Sequence, residues 1–255
     1  MKHIVTHNGI FHADEVTAIA LIEVFVDEEV TISRVPHNSE DLDSFDMVID
    51  IGKKYDGVKF FDHHQYKGGK SSAGLIWSYI NKRYPKIEQF VRLVDMHDTG
   101  VKQATLFEFP SLISTFNTQK IYAREQDKAF LDALSFTKKI LLSYKNMQET
   151  QEAAKDIIEK SSFFNSTQTV LELSTYTPHW KYYINEEKTP HIKAVVWEDN
   201  KKYKLQLIPK HTDTFQFSIQ ALQQDKDMDF VHSNGFFAIA DNKNIMQKFI
   251  EKNSI

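Results

Sequence analysis

The sequence has no cysteine, eight glycines, six prolines and four arginines (Arg34, Arg83, Arg92 and Arg124) in 255 residues. Without cysteine there is no disulfide, no thiolate metal site and no thiol nucleophile, so any metal must be held by histidine, aspartate or glutamate. Four arginines and a net charge of −4 exclude the basic surface of a protein that coats long nucleic acid. A short strand threaded into a local site stays open. No apolar run approaches the ~20 residues of a transmembrane helix, and Lys2 and His3 lead directly into a strand with no signal-like segment. The expectation is a cytoplasmic protein with no membrane partner. At 41% hydrophobic and 13% aromatic residues, the chain can still fill one large core or two small ones. It shows no internal repeat and no low-complexity tract.

The chemistry is concentrated where apolar runs stop. Phe60-Phe61-Asp62-His63-His64-Gln65 is a strand that ends in a carboxylate and two adjacent imidazoles, with Gly68-Gly69 marking a turn soon after. Alternation along a strand puts Asp62 and His64 on one side and His63 on the other, unless the chain is already turning. Imidazole and carboxylate together suit manganese, zinc or iron(II). Taken alone, the triplet also fits a surface loop or a capped sheet edge.

The N-terminal half reads as βα alternation. Residues 3–6, 30–35, 47–51 and 58–61 form strands, and residues 16–25, 72–83 and 87–96 form helices. His7, His12 and Asp14 lie in the loop between the first strand and the first helix, where open α/β sheets place their ligands. Asp50 closes the third strand, and the last of these helices stops at His97-Asp98-Thr99-Gly100, with glycine as the breaker. Residues 122–160 have helical spacing and no glycine or proline, giving one long helix or two that connect the halves. Beyond them, 169–173, 180–184, 192–197 and 203–208 are β-branched and aromatic and read as strands, with a terminal helix over 244–252. The expected domains are 1–120, a helical connector at 121–165, and an α+β domain at 166–255.

Eight groups from five segments stand at strand or helix ends: His7, His12, Asp14, Asp50, Asp62, His63, His64 and Asp98. A dinuclear site needs a carboxylate that bridges two ions and a terminal set of His and Asp on each. Asp50, on a central strand, is the natural bridge. The bland reading is that such residues are common caps and turn formers; it explains any one of them but strains to explain all eight. Gly69-Lys70-Ser71 imitates the end of a phosphate-binding loop, but His64 stands where that motif requires glycine. His179, His191 and His211 are isolated and read as surface or structural. His232 precedes Ser233-Asn234-Gly235, whose amides would reach a substrate phosphate; a plain hairpin turn explains the same residues.

These segments resemble the DHH phosphoesterase superfamily, and within it the Myg-type family named for the melanocyte-proliferating-gene product. The resemblance is carried, in order, by Thr6-His7-Asn8-Gly9-Ile10-Phe11-His12-Ala13-Asp14-Glu15, Val48-Ile49-Asp50-Ile51-Gly52 with Tyr55-Asp56, Phe61-Asp62-His63-His64-Gln65, Ser71-Ser72-Ala73-Gly74-Leu75-Ile76, Val94-Asp95 with Asp98 and Gly100, and Phe230-Val231-His232 with Gly235-Phe236. It implies an α/β fold: a DHH-type N-terminal domain with a mainly parallel sheet flanked by helices, then a helical connector and a smaller α+β C-terminal domain closing over the site. It implies a phosphodiesterase acting 3′ to 5′ on single-stranded RNA or short oligoribonucleotides, with two divalent ions, manganese first and magnesium or zinc as alternatives. His7, His12, Asp14, Asp50, His63 and Asp98 would be metal ligands, Asp62 would orient them, and His64 would face the phosphate. His232 and Gly235 are the substrate-binding candidates of the second domain. Ala13 stands where relatives often carry cysteine, Thr99 replaces a common asparagine, and the stretch 211–229 lacks the arginine and proline expected there. Two other readings are kept: a hydrolase of a small phosphoanhydride or dinucleotide, and a non-catalytic metal-binding protein. The oligomeric state is open, with a homodimer among the options.

Overall fold

The computed structural model describes every residue except 1, 28, 186, 209, 212–216, 219–221 and 223. Much of the atypical 211–229 stretch therefore lies outside the described residues. The chain divides into two compact units, Met1–Met147 and Gln148–Ile255.

The first unit is a parallel sheet of β1 (Lys2–His7), β2 (Val30–Val35), β3 (Met47–Ile49) and β4 (Phe60–Phe61), in the order β2-β1-β3-β4. Strand alternation divides its side chains between two faces. Ile4, Met47, Ile49 and Phe61 join one core with α1 (Ala13–Phe25), α2 (Ser72–Ile80), α3 (Pro85–Asp98), α4 (Phe109–Ser114) and the first part of α5 (Arg124–Glu159). Val5, Val48 and Phe60 face the other way, onto Leu42 and Ile51. Helix α1 is buried at every position from Ala13 to Ile22, which is why its Ala-Ile-Ala-Leu-Ile run is apolar on all sides. Because the strands are parallel, their carboxyl ends lie along one edge, and the chain order reverses on either side of β1, the place where such sheets bind ligands. His7 ends β1 there, Asp50 follows β3, and Asp62 follows β4.

Several boundaries moved from the sequence expectation, each for a local reason. Helix α1 begins three residues early, so Asp14 and Glu15 lie in its first turn. Strand β3 stops at Ile49 because Asp50 adopts a left-handed conformation (φ 57°) that no strand continues. Helix α2 ends at Ile80 with Asn81 left-handed at its C-cap. Residues 122–160 resolve into the single helix α5, in which the division between the units falls. Helix α4 was not foreseen.

The second unit carries a six-stranded mixed sheet, with β5 (Ser162–Phe163), β6 (Val170–Leu173), β7 (Ala194–Asp199), β8 (Lys202–Leu207), β11 (Phe230–Val231) and β12 (Phe237–Ala240) in the order β11-β12-β8-β7-β6-β5. A short pair, β9 (Lys210–His211) with β10 (Phe217–Ser218), stands apart from it. Helix α7 (Lys243–Lys252) packs Met246, Phe249 and Ile250 against one core of the sheet. The strand expected at 180–184 is instead the one-turn helix α6 (Trp180–Tyr183). A helical turn brings Trp180 and Ile184, four apart, into one core with Leu173 and Trp197, whereas a strand would need an opposing edge to pair its backbone. No helix among the described residues is long and apolar enough to cross a membrane.

Candidate metal centre

The six proposed ligands of the first unit form one connected set. The two oxygens of Asp50 face different histidines: Oδ2 lies 3.5 Å from His7 Nε2, and Oδ1 lies 3.5 Å from His63 Nε2. His63 Nε2 is also 2.9 Å from Asp98 Oδ2 and 3.6 Å from Asp14 Oδ2. His7 Nε2 is 3.1 Å from Glu15 Oε1. Three groups can each converge on a common point, with ligand atoms within 4.8 Å of one another: His7, His12 and Glu15; Asp14, His63 and Asp98; Asp50, His63 and His64.

The sequence positions these side chains by several devices. His7 and Asp50 are where parallel strands end. Asp14 accepts N–H bonds from Ser72 (2.9 Å) and Ala73 (2.6 Å) at the start of α2, one on each oxygen, and Ser72 Oγ donates to Asp50 Oδ1 at 2.9 Å. The free amides of that helix end thus fix Asp14, and the Ser72 hydroxyl beside them fixes Asp50. Asp98 arrives as the last residue of α3. Between Asp62 and His64 the chain has left the strand and is turning, with the Tyr66 N–H bonded to the His63 carbonyl. Asp62 Oδ1 takes the backbone N–H of His64 (2.9 Å) and pairs with its ring Nδ1 (2.8 Å), while Oδ2 takes the Lys53 N–H at 2.6 Å.

The donor set fits a divalent metal. Four carboxylates, Asp14, Glu15, Asp50 and Asp98, converge in a largely buried space, an arrangement that is costly unless cations offset it. Two buried atoms, His63 Nε2 and Glu15 Oε2, have no hydrogen-bond partner among the described residues. His63 Nε2 and Asp98 Oδ2, 2.9 Å apart, attract as an ion pair without the geometry of a hydrogen bond, which leaves that nitrogen unsaturated. Imidazole mixed with carboxylate suits manganese, iron(II) or zinc.

Without a metal, protons take up part of the charge. Burial opposes a charge on His7, but Asp50 and Glu15 outweigh it and push the imidazole up to about 11. Asp50 and Asp98 push His63 up to about 11 as well. Burial and the charges of Asp50 and Asp98 hold Asp14 well above the usual carboxylate range. Asp50 is held far below that range because His63 and His7 overcome its burial. The Asp62 carboxylate raises His64.

Three groups at the site escaped the sequence reading. Glu15 falls in the loop of the sequence reading with no role of its own; in the fold it lies in the first turn of α1 and accepts the His12 N–H at 2.9 Å, as the third residue of a capping box does, and the same oxygen faces His7. His37, in the loop after β2, stacks on the His7 ring with centroids 4.4 Å apart and planes 17° from parallel. Asp95, one turn before Asp98, takes the Ser71 N–H and hydroxyl on Oδ1 (3.0 and 2.7 Å), and a Cβ at Gly74 would lie 2.4 Å from that oxygen. The spacing of His12 and Glu15 held the signal for the first; nothing local marks the other two. His232 and Gly235 sit in the turn between β11 and β12 of the second unit, where the Gly235 N–H bonds to the His232 carbonyl and the Asn234 N–H to His232 Nδ1.

Comparison with known proteins gives these residues a family. The MYG1 protein YER156C of Saccharomyces cerevisiae is 34% identical over 152 residues, covering 47% of this chain and 44% of the yeast protein. The MYG1 protein C694.04c of Schizosaccharomyces pombe is 29% identical, covering 51% of this chain and 52% of that protein, so the chain spans about half the length of these two relatives. The human MYG1 exonuclease is 26% identical over 309 residues, covering 91% of this chain and 80% of the human protein. Among solved structures, an exonuclease RecJ bound to manganese aligns over 99% of this chain and 89% of its own, with a TM-score of 0.32 and 13% identity. A family model named for the MYG1 exonucleases and described as an uncharacterised protein family (UPF0160) matches residues 3–253, nearly end to end, and on that match the chain belongs to the MYG1 exonuclease family.

Proposed function

We propose that this chain is a divalent-metal phosphodiesterase that removes nucleotides from the 3′ end of single-stranded RNA or short oligoribonucleotides. The observation that carries the reading is Asp50, whose two oxygens face His7 on one side and His63 on the other, as a carboxylate shared between two ions must. The names of the human and mouse relatives, MYG1 exonuclease, support a nucleic-acid substrate. His7, His12, Glu15 and Asp50 would hold one ion, and Asp14, Asp50, His63 and Asp98 the other. Manganese is the first choice, with magnesium or zinc as alternatives. Divalent ions there would supply charge stabilisation for the phosphoryl group and an activated water, so no protein nucleophile is needed.

The protein's own part is orientation and charge. His64 is half-exposed, and Asp62 occupies its Nδ1, which leaves Nε2 for a phosphate oxygen. The same carboxylate favours the His64 cation, the form that stabilises negative charge on the substrate. His232 and Gly235 are assigned to the sugar or phosphate further along the strand.

The test is degradation of a single-stranded oligoribonucleotide, labelled at either end, with manganese. A ladder built from the 3′ end supports the proposal; no ladder, or one from the 5′ end, overturns it. A second reading, hydrolysis of a dinucleotide or small phosphoanhydride, is favoured by the chain's four arginines, few for a polymer-binding surface. Turnover of dinucleotides or pyrophosphate without any ladder would select it.

A further inference from the structure

A cavity of about 400 Å³ opens beside Asp50, and most of its wall is made of residues with no place among the metal ligands. One side is the loop after β2, His37-Asn38-Ser39. The other is the turn after β3, through Gly52 and Lys53, with His64 at the mouth. Three features show that this space is built rather than left over. Asp50 and Lys53 both hold left-handed backbone conformations (φ 57° and 50°), which cost free energy outside glycine and cluster where a site requires them. Asp62 holds this turn to the His64 segment, taking the Lys53 N–H on one oxygen and the His64 ring on the other. His37 is kept parallel to the His7 ring, so a metal ligand and a cavity wall share one stack.

The lining brings two opposite chemistries together. Asp50 and Asp62 contribute carboxylates, suited to cations. Lys53 contributes an ammonium group, His37 and His64 imidazoles, and Asn38 and Ser39 polar side chains, all of which can donate to an anion. A phosphate held at the metal centre would therefore have a second site for negative charge immediately beside it. The volume suits the sugar and phosphate of one nucleotide, being at the lower end of the range for small-ligand pockets.

We propose that this cavity is a subsite for the phosphate flanking the scissile bond, with Lys53 as its principal cation and the loop 37–39 as its opposite wall. The inference rests on the phosphodiesterase reading and sharpens it: the preferred substrate carries at least two phosphates one nucleoside apart. A small diester with a single phosphate occupies the metal centre and leaves the subsite empty.

The experiment is calorimetric titration of the manganese-loaded full chain with thymidine 3′,5′-bisphosphate, thymidine 5′-monophosphate and thymidine 3′-monophosphate, the recovered ligand being checked for hydrolysis. The bisphosphate should bind about tenfold more tightly than either monophosphate, the value of one charge-assisted contact. Lys53→Ala should abolish that gain while leaving monophosphate affinity and manganese content unchanged. Because alanine is poorly suited to the left-handed backbone at 53, Lys53→Gly and Asn38→Ala serve as further variants; Lys53→Gly should behave as Lys53→Ala, and Asn38→Ala should reduce the gain. Equal affinity for all three ligands in the native chain, or an undiminished gain in both Lys53 variants, overturns the subsite. Turnover of bis(p-nitrophenyl) phosphate, which has no flanking phosphate, should be unaffected by Lys53→Gly. If the native chain hydrolyses neither that ester nor any oligomer, the phosphodiesterase reading fails, while the titration still decides whether a second phosphate is bound.

Discussion

Asp62 pairs with His64 twice, through the backbone N–H and through ring Nδ1, both onto the single oxygen Oδ1. The carboxylate therefore fixes where the ring lies, which of its nitrogens is free, and which charge it prefers. His64→Ala should lower kcat about 10²- to 10³-fold with manganese content unchanged, the usual cost of removing a group that stabilises transition-state charge. Asp62→Asn should lower kcat less. Elemental analysis run beside the kinetics checks both; loss of metal in His64→Ala would show that the imidazole is a ligand instead.

Asp50 should behave differently. Since each of its oxygens faces a separate histidine, Asp50→Ala should weaken both ions together rather than one. Metal stoichiometry measured across a manganese titration is the readout. A variant that retains one tight ion contradicts the bridging role.

The pH dependence has a definite sign. His7 and His63 keep their protons up to about 11 in the metal-free protein, and a metal must displace them. Manganese binding should release protons and tighten as pH rises from 6 to 9, seen as a buffer-dependent heat in calorimetry. Metal-free stability should move in the opposite direction. Both imidazoles are raised on folding, so their contribution is full below the unfolded value of about 6.5 and is lost as pH rises towards 11. Thermal melts of the chelator-treated protein should fall across that window, and a flat profile would contradict the pairing.

Gly74 should tolerate no other residue, because a Cβ there would meet Asp95 Oδ1 at 2.4 Å. Gly74→Ala should cost about 1–3 kcal/mol of stability by overpacking, and by shifting the start of α2 it should also weaken manganese binding, since Ser72 and Ala73 hold Asp14 and Asp50. Unchanged metal affinity in a destabilised variant would separate the two effects.

His232→Ala, in the second unit, should raise KM for an oligoribonucleotide several-fold with metal content and small-ester turnover unchanged. An identical rise for bis(p-nitrophenyl) phosphate would remove the proposed contact with the polymer.

How much of this was legible depended on where each signal lies. The βα alternation and the convergence of His7, Asp14, Asp50, His63 and Asp98 could be read because an apolar strand ending in His or Asp is a local pattern, and parallel strands gather such ends on one edge. Trp180 carries no helical signal, since a four-residue stretch with three aromatics suits a strand and a single helical turn equally, and the core shared with Ile184 decides between them. Glu15 carries no mark of its own in the sequence, since an acidic residue beside a helix start is ordinary. His37 and Asp95 are tied to the site by partners thirty and twenty-four residues away, His7 and Ser71, and no local window contains both members of either pair.

The donors that hold Asp14 and Asp50 are the Ser72 and Ala73 amides and the Ser72 hydroxyl, all groups of the protein, so the fold itself aims these two carboxylates. An ion captured between them would meet side chains whose rotamers are already chosen, and correspondingly little ordering entropy would oppose its binding.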